Sequence, residues 1–190
     1  TPDAALKGKK LFLHFEAIMG KSKIYVNGKL LAEHFGGYLP VVVDVTDALE
    51  FGKENLIAVW ADNSNDPNYP PGKQQEVLDF TYFGGIYRDC WLIAHNQVFI
   101  TDPNYENEEA GGGLFVAYNN VSDHSAEVLL KIQIRNSRRK AFKGVVEYEL
   151  QQPDGQQVAS LNSVIRIKPG KSTYSSDKLT VKSPMLWSPE

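Results

Sequence analysis

Cysteine is nearly absent. Cys90 is the only one in 190 residues. That excludes an intrachain disulfide, and it excludes a thiolate zinc cluster, which takes several Cys or His at short spacing. The redox compartment stays open. Basic blocks are missing too: 20 Lys and Arg stand against 23 Asp and Glu, a net charge of −3. The electrostatic footprint of a nucleic-acid binder is therefore absent, and no nucleic-acid partner is expected. No apolar run approaches the ~20 residues of a transmembrane helix, so no membrane partner is expected. The chain opens on Thr1 without a signal peptide, which reads as a trimmed or processed chain. The compartment is undetermined, with a periplasmic or secreted location expected ahead of a cytoplasmic one. Helical periodicity is scarce. What remains has 42% hydrophobic and 23% charged residues, ordinary for a folded protein, and is long enough for one large domain or two small ones.

Strand signals fill the chain. In 10–18, Leu11, Leu13, Phe15 and Ala17 alternate with His14 and Glu16. Ile24-Tyr25-Val26 and Leu30-Leu31-Ala32 flank Asn27-Gly28, a pair suited to the positive φ angles of a type I′ hairpin turn. The β-branched run 41–45 and the segment 56–61 are expected strands, with Thr46 capping a short turn between them. From 62 to 77 the pattern stops in a loop rich in Asn and Pro, and loops of that length are often functional. A strand is expected over 86–95. The segment 102–113 is polar and ends in Gly111-Gly112-Gly113, which marks it as a domain boundary or an early loop of the second domain. Further strands are expected over 114–119, 126–135, 143–151, 158–167 and 172–181, with turns at Pro153-Asp154-Gly155 and Pro169-Gly170. That spacing suits a small antiparallel sandwich.

The densest stretch is 79–92, with five aromatic residues and Gly84-Gly85. Gly84-Gly85-Ile86-Tyr87-Arg88-Asp89, followed by Cys90-Trp91-Leu92, resembles the signature of family 2 glycoside hydrolases. Other pieces fit in order: Ile24 to Gly28, Gly36-Gly37-Tyr38-Leu39-Pro40, Val43-Asp44-Val45-Thr46, Asn55 to Val59, and Leu186-Trp187-Ser188-Pro189-Glu190. Pro70-Pro71-Gly72 is similar to the glucuronidase branch. The resemblance implies an all-β fold of two antiparallel β-sandwiches: a partial jelly-roll sugar-binding domain over 1–97, then an immunoglobulin-like sandwich over 98–190. It also implies a (β/α)₈ barrel that the chain would lack. The expectation is thus a non-catalytic fragment of a retaining enzyme that hydrolyses terminal β-glycosides, with β-galactosidase the default, and a fragment inactive by itself.

Retaining glycosidases use two carboxyl groups about 5–5.5 Å apart, and in this family both are barrel glutamates. No stretch here matches them. Glu16, Glu76, Glu147, Glu149 and Glu190 are candidates by residue type alone and read as structural or solvated carboxylates, so no catalytic residue is expected. The resemblance gives Asp79 a substrate-binding role, reaching into the barrel's site to accept sugar hydroxyls, which suits a carboxylate. Phe80 and Tyr82 are further substrate-binding candidates through ring stacking. Phe83, Tyr87 and Trp91 read instead as sandwich core or barrel contacts, Arg88 and Asp89 as ion-pairing residues of the turn, and Cys90 as a small buried hydrophobe.

No metal site is expected. Asp62, Ser64 and Asp66 fail the calcium-loop pattern, because Pro67 stands where the loop takes glycine. The four histidines are scattered. No cofactor is expected; a cation near Asp79 is allowed only in the intact enzyme. The expected partners are a terminal β-glycoside, the barrel of the same chain, and a second copy through exposed apolar faces. Two alternatives stay open: a stand-alone carbohydrate-binding module, and a two-sandwich adhesion or interaction protein. Asn120-Val121-Ser122 is a sequon, read as a chance match.

Overall fold

A computed structural model describes residues 1–189. The chain divides into two compact units, Thr1–Asn96 and one that begins at Gln97.

The first unit holds eight strands: β1 Lys10–Phe15, β2 Ile18–Met19, β3 Lys21–Val26, β4 Lys29–Phe35, β5 Val41–Asp44, β6 Ile57–Asp62, β7 Gly85–Ile86 and β8 Cys90–His95. They form sheets in the orders β5-β1-β8 and β4-β3-β6, with β2 paired to β7. All pairs are antiparallel. Period-two alternation sends Leu11, Leu13 and Phe15 of β1, Ile24 and Val26 of β3, and Val41 and Val43 of β5 into one core. Burying each such side chain contributes about 1.5–3 kcal/mol. The hairpin forms as its residues dictate, with Asn27 at φ 51° and Gly28 at φ 80°. Asn27 does more than turn. Its Nδ2 donates to Ala48 O and Asn55 Oδ1, and its Oδ1 accepts from Leu56 N, which ties the hairpin to the segment before β6. The short turn forms from Thr46, where Asp44 Oδ1 accepts from Thr46 N and Thr46 Oγ1 accepts from Leu11 N.

The strand expected over 86–95 is broken. Ile86 pairs with Ile18, whereas Cys90 pairs with Phe15 in a different sheet. The chain changes sheets between them, and such a change takes a corner. This corner also corrects the reading of Cys90. Cys90 is exposed at the start of β8, just past the corner. Residual desolvation still pushes its pKa above the ordinary value.

The second unit holds β9 Val98–Ile100, the one-turn helix α1 Pro103–Glu106, β10 Leu114–Asn119, β11 Ser125–Asn136, β12 Phe142–Gln151, β13 Gln157–Ile167 and β14 Lys171–Lys182. One sheet runs β10-β11-β14 with β9 also on β11, and β12 pairs with β13. Val128, Leu130, Ile132 and Ile134 of β11 meet Tyr148, Ile165, Ile167, Leu179 and Val181 in a second core. Asn136 is 0% exposed. Its Nδ2 donates to Lys140 O and Ile167 O while its Oδ1 accepts from Arg138 N, so the buried amide is satisfied as burial demands. The chain is all-β, two antiparallel sandwich units.

The triple glycine is not a linker. Gly111, Gly112 and Gly113 are buried within the second unit. They close a loop that leaves β11 after β9 and returns to it as β10. Gly113 N donates to Thr101 Oγ1, Thr101 Oγ1 donates to Gln133 Oε1 at 2.6 Å, and Gln133 Nε2 donates to Glu108 and to the Tyr174 hydroxyl. Asp102 caps α1 by accepting from Asn104 N and Tyr105 N.

Candidate functional site

The three residues singled out for substrate contact, Asp79, Phe80 and Tyr82, lie near the end of the loop 63–84 that joins β6 to β7. Its two ends are held against β2 and β3. Gly20, at φ 90°, lies so close to the Asp62 carbonyl that no Cβ would fit, and Gly84 packs on the Asn63 side chain. Lys21 reaches up from β3 to pair with Asp66 at 2.8 Å, and its ammonium lies 5.7 Å from the Tyr69 ring centroid. Asp66 also accepts from Asn68 N and Nδ2. Its pKa is held below the ordinary value, first by the Lys21 bond and then by the Asn68 amide. Asp62 accepts from Ser64 N, and its pKa is lowered as well, first by the Ser64 side chain and then by that amide. Tyr82 is half-buried and donates its hydroxyl to Asn65 Oδ1 at 3.1 Å. Met19, Asn63, Asn65, Asp66, Tyr69, Lys73 and Tyr82 line a small polar niche at the base of the loop.

Beyond that base the loop opens. A single 3₁₀ turn, Gln75–Val77, precedes Leu78. Asp79 is exposed, and no hydrogen bond to its carboxylate occurs among the described residues. Phe80 is 49% exposed. Tyr82 is tied to the loop base by its hydroxyl, while Asp79 and Phe80 project to solvent. Lys21 was not singled out from the sequence. Its signal is its register: it faces outward on β3 opposite Asp62, where the loop begins.

The neighbouring aromatic residues divide. Tyr87 is half-buried and donates to Gly37 O at 2.5 Å. Phe83 is 69% and Trp91 52% exposed, so neither is sandwich core. Trp91 Nε1 donates to Glu16 Oε1 at 3.0 Å. Arg88 lies 5.6 Å from the Tyr87 ring centroid, and no ion pair joins it or Asp89 to another group among the described residues. The expected ion pairing is therefore replaced by stacking. Asp89 contributes its backbone carbonyl to Glu16 N instead.

The carboxylates weighed by type do not assemble. Glu16 holds Trp91, Glu76 sits exposed on the 3₁₀ turn, and Glu147 and Glu149 face outward on β12 in the other unit. Glu149 accepts from Gln151 Nε2. Glu190 lies outside the described residues. No group of three or more His, Cys, Asp or Glu able to hold a metal ion occurs among the described residues.

Comparison with known proteins decides the family. Residues 2–96 match the model of the "Glycosyl hydrolases family 2, sugar binding domain", and residues 113–190 match that of "Glycosyl hydrolases family 2". The chain belongs to glycoside hydrolase family 2. A β-glucuronidase of Formosa agariphila is 31% identical over 185 residues, 95% of this family 2 chain and 19% of the relative. A β-galactosidase of Thermoanaerobacter pseudethanolicus is 43% identical over 101 residues, 53% of this chain and 13% of the relative. Among solved structures, Bacteroides uniformis β-glucuronidase 2, covalently bound to cyclophellitol-6-carboxylate aziridine, superposes with a TM-score of 0.87 at 30% identity. That match covers 100% of this chain and 22% of the other. The family 2 chain thus spans about a fifth of the length of the relatives it matches from end to end.

Proposed function

We propose that this chain is the non-catalytic, sugar-binding and immunoglobulin-like part of a retaining β-glycosidase, and that it contributes Asp79 to the recognition of a terminal β-glycoside. The exposure of Asp79 carries this reading. Its carboxylate has no protein partner among the described residues, on a loop whose base is held by Lys21, Asp66 and Tyr82. A free carboxylate on a braced loop is ready to accept two sugar hydroxyls with charge-assisted bonds. Phe80 beside it offers a ring face to the apolar side of a pyranose. The paired catalytic carboxyl groups belong to a barrel elsewhere in the whole protein, so the chain by itself has no glycosidase activity.

β-Galactoside hydrolysis is the first reading for the whole protein, supported by the 43% identity over 101 residues. β-Glucuronide hydrolysis is the second, supported by relatives of that name at 30–31% identity over 95% of the chain. The test is Asp79→Asn in the whole protein, assayed on p-nitrophenyl β-galactoside and β-glucuronide. The expected result is a loss of about 100-fold or more in kcat/KM on the true substrate with an unchanged melting temperature. Activity within about twofold of the parent on both substrates overturns the role of Asp79.

A further inference from the structure

We propose that the outward face of the β4-β3-β6 sheet is a platform for a neutral oligosaccharide, built from residues other than Asp79, Phe80 and Tyr82. The register places three cross-strand rows on that face: Phe35–Lys21–Asp62, Glu33–Lys23–Trp60 and Leu30–Tyr25–Ala58. The inward partners Ile24, Val26 and Val59 are in or against the core, so the rows are held on a rigid sheet. Trp60 is 46% and Phe35 65% exposed. Three aromatic side chains, Tyr25, Phe35 and Trp60, thus stand on three adjacent strands. Strand spacing makes the face on the order of 10 Å wide and 13 Å long, a footprint for a short oligosaccharide.

The polar groups between the rings select the occupant. Lys23 Nζ pairs with Glu33 Oε1 at 2.8 Å and lies 5.9 Å from the Trp60 ring centroid. Lys21 is matched by Asp66. Each ammonium on the face therefore already faces a carboxylate, and the face presents no unmatched positive charge to a phosphate or a polyanion. A surface-exposed ammonium–carboxylate pair beside an indole offers donors and acceptors to hydroxyl groups, while the indole meets apolar C–H faces. That combination complements a polyol with one apolar side. A second copy of the chain fits less well, because it would desolvate the Lys23–Glu33 pair at the centre of the contact.

The test is affinity electrophoresis of the whole protein through gels carrying soluble β-1,4-galactan, a neutral β-glucan, or polygalacturonate. Retardation by a neutral polymer, and none by polygalacturonate, is expected. Trp60→Ala should weaken that retardation by about tenfold, as loss of a stacked aromatic anchor does. Trp60→Phe should keep part of it. Trp60→Phe should melt close to the parent, and Trp60→Ala, which gives up the buried half of the ring, somewhat lower. Trp60→Ala should keep the parent's kcat/KM on the p-nitrophenyl glycosides, which separates this platform from the role given to Asp79. The proposal is overturned if neither neutral polymer retards the parent, or if polygalacturonate alone does. It is equally overturned if Trp60→Ala is retarded like the parent, or if that substitution changes only the molecular mass seen by light scattering, which would assign the face to a second copy.

Discussion

The two long loops of this protein are built alike in composition and differently in structure. Residues 63–84 and 101–113 are both polar, both contain glycines, and both interrupt a strand pattern. The second is tied along its length. Thr101, Gln133, Glu108 and Tyr174 form one hydrogen-bonded chain beneath it, and Arg135 pairs with Glu106 at 3.2 Å. The first is tied at its base alone, through Lys21–Asp66 and Tyr82–Asn65, and then leaves Asp79 and Phe80 in solvent. A loop whose polar groups are consumed internally braces its sandwich. A loop that keeps a carboxylate unpaired on a fixed base can present it to a ligand.

Substitutions can break this contrast. The largest effect expected is on activity: Asp79→Asn should cost the whole protein its kcat/KM while leaving stability alone. Its counterpart in the other loop is Gly112→Ala. At φ 72°, with a Cβ placed 2.8 Å from Pro103 Cα, it should destabilise by about 2–3 kcal/mol. Gly72 in the first loop has nearly the same φ, 71°, but nothing nearer than 3.6 Å, so Gly72→Ala should cost only about 1 kcal/mol. Urea unfolding measures both, and equal costs would erase the distinction between a braced and a presenting loop.

Gln133→Leu comes next. It removes the buried amide between Thr101, Glu108 and Tyr174 and should cost about 2 kcal/mol, again read by urea. The smallest effect concerns pH. Asp66 has a folded pKa below its ordinary 3.8, so its pairing supports the loop base above pH 3.8 and fades as pH falls through the folded value. Lys21 has a folded pKa above its ordinary 10.5, so its contribution is full below 10.5 and is lost as pH rises through the folded value. Carboxyl NMR titration of Asp66 should give a midpoint under 3.8, moved back toward it by Lys21→Met.

The strands were legible because alternation and turn chemistry are local. Residues 114–119 coincide with β10, and the strands expected at 126–135, 143–151, 158–167 and 172–181 differ from β11–β14 by a residue or so at their ends. The Asn27-Gly28 hairpin was legible for the same reason. Cys90 was not, since an apolar residue in a strand is buried or exposed according to what packs over its side of the sheet: β5 and β8 are both edges of one sheet, yet Val41 and Val43 are buried and Cys90 is exposed. Arg88 and Asp89 differ similarly: their charges suggested ion pairing around the turn, whereas Arg88 lies on the Tyr87 ring and Asp89 uses its backbone carbonyl. The Gly111–Gly113 run looked like punctuation in the sequence, and close packing makes it part of a network.

The sequence by itself determined the family, the all-β class and the identity of Asp79 as a residue of interest, because ordered motifs, period-two patterning and turn residues are all written locally along the chain. Tertiary structure alone decided which of those residues face solvent. Whether Tyr82 reaches Asn65, whether Cys90 is covered, and whether Tyr25, Phe35 and Trp60 share a face all depend on register and on what packs over each sheet. Those are relations between segments far apart in the chain, set by how the sheets bury their common cores.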